Sequence, residues 1–447
     1  MHGESAQISQ VIFGWDPLWV SSILFVLTYV VIMTEKVNRA IVAGLGAGLM
    51  VVLGVLNQHD AIRGVDFNTL GLLTGMMVIV AITRKCGVFQ YVAIWSAKKV
   101  KAQPWGILLM FAVVTAVFSA FLDNVTTVLL IAPVTLLITE ELKVRPYPYL
   151  FAEVLASNIG GTATLIGDPP NIMIGSAAGL TFNDFLLNLA PIIPVILAVT
   201  LAIIYFLWGR DMQASDQDRQ RIMHFREREA ITDVALLKKS LFVLALTITG
   251  FMLAHPLHLE PATIAMCGAG LLLLLSSFRT SAEEQSEHVH STFGEVEWIT
   301  IFFFVGLFIV VHGIETAGLL ELLAHKVLAL TGGNLTVTAM AILWVSAIFS
   351  AIVDNIPFVA TMIPLIKSMA PTFGGAEALM PLWWSLALGA CLGGNGTLIG
   401  ASANLIVAGF AERAGHRIGF MQFTLMAFPL MLVSVAISAV YVSLRYL

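Results

Sequence analysis

Charge is what this sequence has least of. Of its 447 residues only 11% are Asp, Glu, Lys or Arg, while 58% are hydrophobic, and the mean hydropathy is +0.90. A water-soluble domain carries roughly 25% charged residues, so this chain has too few to cover itself in water. The apolar residues also run in blocks of 17 or more, long enough to cross a hydrocarbon core of about 30 Å as helix. Cysteine is scarce too. Cys86, Cys267 and Cys391 are scattered in apolar segments without CxxC spacing, which excludes a disulfide framework and a zinc site and leaves small buried hydrophobes. Residues 1–17 hold no Lys or Arg, so the positive region of a cleavable signal peptide is missing. No nucleophile elbow, phosphate loop or nucleic-acid signature is present, and His255, His258 and His312 lack metal-ligand spacing to one another. The expectation is a non-enzyme with no catalytic or metal site, no cofactor and no nucleic-acid partner.

What is there is a membrane chain of ten spans, about 18–34, 40–56, 67–83, 147–175, 183–208, 238–254, 261–278, 298–314, 381–409 and 421–445. Two apolar pairs remain, 105–121 with 124–140 and 335–353 with 356–370, each joined by almost no loop. The charged stretch 209–237 divides the chain into 18–208 and 238–447 and reads as a solvated linker. Residues 283–290, with Glu283, Glu284, Glu287, His288 and His290, read as a polar loop. Trp298, Trp383 and Trp384 suit interface anchors.

The two halves repeat each other. Shifted by 231 residues, Gly75 falls on Gly306, Gly87 on Gly318, Phe118-Ser119-Ala120 on Phe349-Ser350-Ala351, Asp123-Asn124 on Asp354-Asn355 and Pro133 on Pro364. A shift of 233 lays Gly160-Gly161, Thr164, Gly167 and Asn171 on Gly393-Gly394, Thr397, Gly400 and Asn404. A shared hydrophobic bias would not align these residues in order, so the chain is an internal duplication. With the amino terminus outside, nineteen Lys and Arg fall on the inner side, the linker among them, and four on the outer side. That is a strong positive-inside asymmetry. Each half then has an odd number of spans, which turns the second half upside down relative to the first, the arrangement of alternating-access transporters. The paired segments are either re-entrant hairpins or true crossings; the three-residue connection Leu122-Asp123-Asn124 favours hairpins.

Helix breaks survive in a membrane only where they line a cavity, and two kinds occur, each twice. The hairpin turns are Asp123-Asn124 with Thr126 and Thr127, and Asp354-Asn355 before Pro357; Asp or Asn there caps the second arm and aims its free N–H groups at the turn. The mid-span breaks carry Asn158, Gly160, Gly161, Thr162, Thr164 and Asn171 in the first half, and Gly393, Gly394, Asn395, Thr397 and Asn404 in the second. One Gly-Gly alone suits helix packing; two at symmetric positions, each followed by Thr and Asn, point to a binding site. No Arg lies in these segments, which argues against a guanidinium clamp on a dianion. Asp123, Glu153, Asp168 and Asp354 lie near the breaks. A charged residue at mid-bilayer costs about 2.5–3.5 kcal/mol, so these carboxylates face a cavity or take up protons. They are the candidates for proton coupling or cation ligation. Position 401, opposite Asp168, is Ala, so coupling is expected to be asymmetric.

The strings FLDNVTTVLLIAPVTLL (121–137) and ASNIGGTATLIGDPPNIMIGS (156–176) closely resemble the ion transporter superfamily, in particular the arsenite/antimonite permease and pink-eyed dilution (P) protein branch. The likeness runs over about 18–445. It implies an all-α polytopic membrane protein, each half holding five transmembrane helices, some discontinuous, and one re-entrant hairpin. It also implies a homodimer in the cytoplasmic (inner) membrane, moving its substrate domain like an elevator against a scaffold near 18–83 and 238–314. Members carry arsenite, silicic acid, citrate, dicarboxylates or sodium. Dicarboxylate carriers have Ser-Asn-Thr where this chain has Asp-Asn, and an acid there would repel such a substrate. The expected function is proton-coupled efflux of arsenite or antimonite, alone or with an ATPase subunit; sodium/proton antiport, organic-anion transport and a passive channel are the alternatives.

Overall fold

A computed structural model describes residues 11–447 except Glu35 and Arg279, with nothing said of the Phe13 side chain. Residues 1–10 and Arg279, one of the inner-side cations counted above, therefore lie outside the described residues. Every regular element among the described residues is helical. The first half holds α1 (Pro17–Met33), α2 (Arg39–Val52), α3 (Gln58–Arg63), α4 (Phe67–Arg84), α5 (Val88–Lys99), α6 (Pro104–Phe121), α7 (Asn124–Glu141), α8 (Tyr147–Gly161), α9 (Pro169–Ala178), α10 (Phe182–Asn188) and α11 (Ile193–Ile204). The short α12 (Asp216–Met223) follows. The second half holds α13 (Val234–Met252), α14 (Ala254–Leu257), α15 (Pro261–Ser277), α16 (Ala282–Gly294), α17 (Trp298–Thr316), α18 (Leu319–Leu330), α19 (Leu335–Ile352), α20 (Asn355–Lys367), α21 (Ala370–Phe373), α22 (Met380–Gly393), α23 (Ser402–Arg413) and α24 (Phe420–Tyr446).

Local chemistry sets these boundaries. Asp123 and Asp354, the last residues before α7 and α20, accept hydrogen bonds from the first-turn amides of Thr126 and Ile356, the usual use of Asp before a helix. Gly160-Gly161 and Gly393-Gly394 close α8 and α22, and both following stretches run without regular helix to the next segment. Pro169 and Pro170 open α9, where the missing N–H groups would be unpaired anyway. Gly87 and Gly318 take left-handed φ of 78° and 86° at matching turns into α5 and α18, conformations that favour glycine.

Seven described helices are long and apolar enough to cross a membrane: α4, α6, α7, α13, α17, α19 and α24; α10 and α11, bent by 52°, can make an eighth. Of the ten expected spans, 67–83, 238–254, 298–314 and 421–445 are such single helices. The spans at 18–34, 40–56 and 261–278 are the shorter apolar helices α1, α2 and α15. The spans 147–175 and 381–409 are each two helices around a break.

Packing repeats with the sequence. Helix α2 lies against α17, and α15 lies against α4; α6 packs on α8, and α19 on α22; α7 meets α23, and α20 meets α9. The same steric pairs recur. A Cβ on Gly75 would come 2.6 Å from the Ala265 backbone, and one on Gly306 2.5 Å from that of Ala43. A Cβ on Gly160 would strike the Ala116 carbonyl, as one on Gly393 would strike Ala347.

Three sequence expectations need correction. Residues 282–294 form a helix, opened by a capping box between Ser281 and Glu284, because that local reciprocity stabilises a polar helix that no apolar pattern reveals. The 209–237 stretch is exposed or half-buried along most of its length, in keeping with a solvated linker, and it is also tethered to the helices at several points. Lys98 Nζ pairs with Glu227 at 2.6 Å, Thr232 N–H donates to the Cys86 carbonyl at 3.1 Å, and Lys143 meets Asp218 at 3.4 Å. Trp383 and Trp384 are buried rather than at an interface, Trp384 edge-on to Phe185 at 5.3 Å, because α22 is enclosed by protein along its length. Cys267 is exposed, unlike Cys86 and Cys391.

Candidate functional site

The two hairpin tips and the two breaks converge on a buried lattice of amides. Asn158 sits at the centre, its Nδ2 donating to Asn395 Oδ1 at 2.9 Å and Asn404 Oδ1 at 3.0 Å. Its own Oδ1 accepts from Asn124 Nδ2 at 3.1 Å. Asn171 Nδ2 donates to the carbonyls of Gly161, Thr162 and Thr164 at 3.4, 3.2 and 2.9 Å. In the second half Asn404 Nδ2 holds the carbonyls of Gly394 and Thr397, both at 2.8 Å. Carbonyls freed where a helix unwinds need partners in a water-poor interior, and these two asparagines supply them.

Hydroxyls pin each break to its hairpin. Ser119 Oγ donates to the Ser157 carbonyl and Ser350 Oγ to the Ala390 carbonyl, both at 2.6 Å. Thr164 bonds the Ala120 carbonyl and Thr397 the Ala351 carbonyl. Thr162 Oγ1 turns back to the Asn158 carbonyl at 2.8 Å. At the same place Gly160 and Gly393 let α8 and α22 approach their hairpins closely, while Gly161 and Gly394 lie against the unwound stretch that follows, at Gly167 and Gly400.

The carboxylates occupy distinct environments. Asp123 is spent on Thr126, taking its N–H at 2.7 Å and its hydroxyl at 2.5 Å. Beside it Asn124 Oδ1 and Thr127 Oγ1 are buried without hydrogen-bond partners among the described residues. Asp168 is fully buried, with Asn355 Nδ2 at 3.4 Å from each of its oxygens and the Cys391 thiol as a further partner. Glu153 stands apart from the lattice; its partner is Thr135, and its Oε2 has none among the described residues. Asp354 takes the Ile356 N–H at 3.1 Å, the Ser402 hydroxyl at 3.0 Å and Arg39 Nη1 at 2.7 Å.

Arg39 is the first of two candidate-site residues that the sequence did not reveal. The breaks do contain no arginine, but the fold delivers one from α2, 315 positions away from Asp354. Its guanidinium also reaches Ser402 Oγ at 2.7 Å and Thr300 Oγ1 at 3.4 Å and lies over the Phe303 ring at 5.0 Å. One signal pointed to it: a cation at the first position of a helix opposes the helix dipole, so Arg39 needed a counter-charge elsewhere. Arg39, Asp354 and Ser402 line a cavity of about 650 Å³, together with Asn38, Glu297 and Arg413. Cys391 is a second residue that was missed. It occupies the position matching Asn158, and its Sγ lies 3.4 Å from Asn171 Oδ1. Among the described residues no ion pair engages Asp123, Asp168 or Glu153, and no group of three or more His, Cys, Asp or Glu residues could hold a metal.

Residues 29–389 match the citrate transporter family. An uncharacterized transporter of Mycobacterium tuberculosis is 46% identical over 428 residues, covering 95% of this chain and 97% of that protein. The human P protein is 32% identical over 494 residues, which span 92% of this chain and 58% of the P protein. Among solved structures, the YdaH transporter of Alcanivorax borkumensis superposes with a TM-score of 0.58 at 15% identity, over 96% of this chain and 98% of that one; at that identity the likeness concerns the fold. With helices built to span a membrane around a buried polar centre, the chain belongs to the citrate transporter family of membrane transporters, within the ion transporter superfamily.

Proposed function

We propose that this protein is an ion-coupled secondary carrier of a small uncharged hydroxylated solute, and specifically a proton-coupled exporter of arsenite and antimonite. The observation that carries this reading is the charge balance of the site. Three aspartates, Asp123, Asp168 and Asp354, stand around an amide lattice, and one of them is already matched by Arg39. Citrate, the substrate in the family's name, would bring several negative charges toward two unmatched carboxylates. Arsenite is mainly a neutral trihydroxide at neutral pH and asks for amide and hydroxyl partners, which Asn124 Oδ1 and Thr127 Oγ1, buried and unpartnered among the described residues, offer beside the amide lattice. Asp123 and Asp168 lack a fixed cation, and an unpaired buried charge is costly, so a mobile cation completes them; this is the coupling ion.

The carrier is taken to work as a homodimer of inverted repeats in the inner membrane, with the amino terminus outside and the 209–237 linker cytoplasmic. The hairpins and broken helices would move against α2, α4, α15 and α17 as an elevator; an ATPase subunit is not required by this scheme. A second reading, sodium/proton antiport, is favoured by Asn124 Oδ1 and Thr127 Oγ1, two unpartnered oxygens next to Asp123 of the kind that ligate hard cations. Expression in an arsenite-sensitive host lacking its own exporter tests both. Raised arsenite resistance with lowered cell arsenic supports the first reading; raised sodium or lithium tolerance alone replaces it with the second.

A further inference from the structure

Two loops at the ends of long apolar helices close around a second, basic pocket. One loop leads from α7 to α8 and contributes Lys143 and Arg145; the other leads from α23 to α24 and contributes His416 and Arg417. With Tyr147 and Gln422 they line a cavity of about 420 Å³ that holds no carboxylate among its lining residues. Lys143 reaches out of it to Asp218 of the linker at 3.4 Å. Among the described residues no ion pair engages Arg145, His416 or Arg417. The charges also stand where the backbone disfavours them. Arg145 and Arg417 lie just before α8 and α24, and neither helix has a side-chain cap on its first amides. A helix N-terminus repels cations and attracts anions, so this positive cluster calls for an anion.

We infer that this pocket binds the phosphate headgroup of an anionic phospholipid. The surroundings favour lipid over free phosphate. Beside the pocket, α24 begins a 27-residue apolar helix whose first turns expose Phe420, Met421 and Leu425, the last two at 62% and 68%. Acyl chains lying on that surface would carry a headgroup into the cavity. Tyr147 forms part of the wall and is itself backed by Trp208, edge-on at 5.8 Å. Basic pockets at the polar ends of membrane helices take anionic headgroups in this way. The bound lipid would bridge the first half at α7–α8 to the second half at α23–α24, and it would compete with Asp218 for Lys143.

The test uses the full-length protein purified in detergent. Retained phosphatidylglycerol is counted by native mass spectrometry, and thermal stabilisation is titrated with short-chain phosphatidylglycerol, phosphatidylcholine and inorganic phosphate. The expected result is retention of phosphatidylglycerol and stabilisation by it alone. Arg145→Gln/Arg417→Gln should weaken that binding roughly thirtyfold, the factor carried by two cation–phosphate contacts, while Lys99→Gln, an exposed cation at the end of α5, leaves it unchanged. If the double variant does not fold, Arg417→Gln alone should give a loss of roughly fivefold. Equal retention by the arginine variants and the parent protein overturns the inference, and so does binding of inorganic phosphate as tight as that of the lipid.

Discussion

Replacing Arg39 with Gln removes a guanidinium that ties α2 to the second hairpin tip. The side chains of Arg39 and Asp354 are 26% and 15% exposed, between the surface regime, where an ion pair is worth about 0.2–1 kcal/mol, and the buried one, where losing a partner costs about 3–5 kcal/mol. Asp354 would keep the Ile356 N–H and the Ser402 hydroxyl, so Arg39→Gln is expected to destabilise by about 1–3 kcal/mol. Asp354→Asn keeps a competent cap but leaves Arg39 with Ser402, Thr300 and the Phe303 ring; a similar loss is expected. In the double variant both charges are gone and Gln can still bond Asn. Its loss should fall short of the sum of the single losses by about 1–2 kcal/mol, the coupling expected of residues in direct contact. Unfolding of the four proteins in one detergent measures this cycle. Additive single losses, within about 0.3 kcal/mol, would refute the view that the pair joins α2 to the hairpin. Flux in proteoliposomes adds a second reading: with Asp354 matched by Arg39, dependence on a pH gradient should survive the double substitution.

Asp123→Asn should keep the hairpin cap yet abolish the dependence of flux on an imposed pH gradient, whereas Asn124→Ala or Thr164→Ala should raise the substrate concentration needed and leave coupling intact; if Asp123, Glu153, Asp168 and Asp354 can each be neutralised with gradient-driven flux preserved, no single carboxylate carries the proton. Gly160→Ala and Gly393→Ala should each cost about 1–3 kcal/mol or more in thermal unfolding, because the new methyl meets a hairpin carbonyl, while Gly48→Ala, which faces open space, should be neutral. The docked linker should loosen in acid. The Ser215 hydroxyl, helped by Lys143, holds Asp218 below the ordinary carboxylate range, and Lys98 does the same for Glu227. The unfolded groups therefore bind protons more readily, so docking is complete at neutral pH and is lost as the pH falls below about 4. Limited proteolysis of residues 209–233 at the two pH values reads this directly, and Glu227→Gln should flatten the difference.

Much of this architecture lies on the surface of the sequence, because the devices that break a helix are themselves residues. Asp-Asn marks each hairpin tip, and Gly-Gly with a following Asn marks each break. The Asn is legible because an unwound carbonyl needs a donor nearby, and both Asn171 and Asn404 lie within ten residues of the carbonyls they hold. What stayed hidden is pairing over distance. Arg39 and Asp354 are 315 positions apart, and nothing local to α2 names its partner. Trp383 and Trp384 look like interface residues by type; only the enclosure of α22 makes them core. Likewise 282–294 lacks an apolar stripe, so its helix rests on its cap rather than on periodicity.

The repeat also separates frame from chemistry. Where the halves agree, they agree in bonds that hold the backbone: Ser119 and Ser350, Thr164 and Thr397, Asn171 and Asn404 make matching contacts. Where they differ, they differ at the centre. Asp168 is matched by Ala401, Asn158 by Cys391, and Thr162 by Asn395. The two Asp tips are alike in sequence yet unlike in surroundings, one joined to a guanidinium and the other set beside two unpartnered oxygens. A strictly symmetric site would present two equivalent acids and take up two equivalent ions. Here a fixed cation already stands at one tip, while among the described residues no ion pair engages Asp123 or Asp168, which is why the proposed coupling ion is assigned to those two acids. The matching bonds hold two broken helices alike in both halves; the positions where the halves differ are what make the centre unequal in charge.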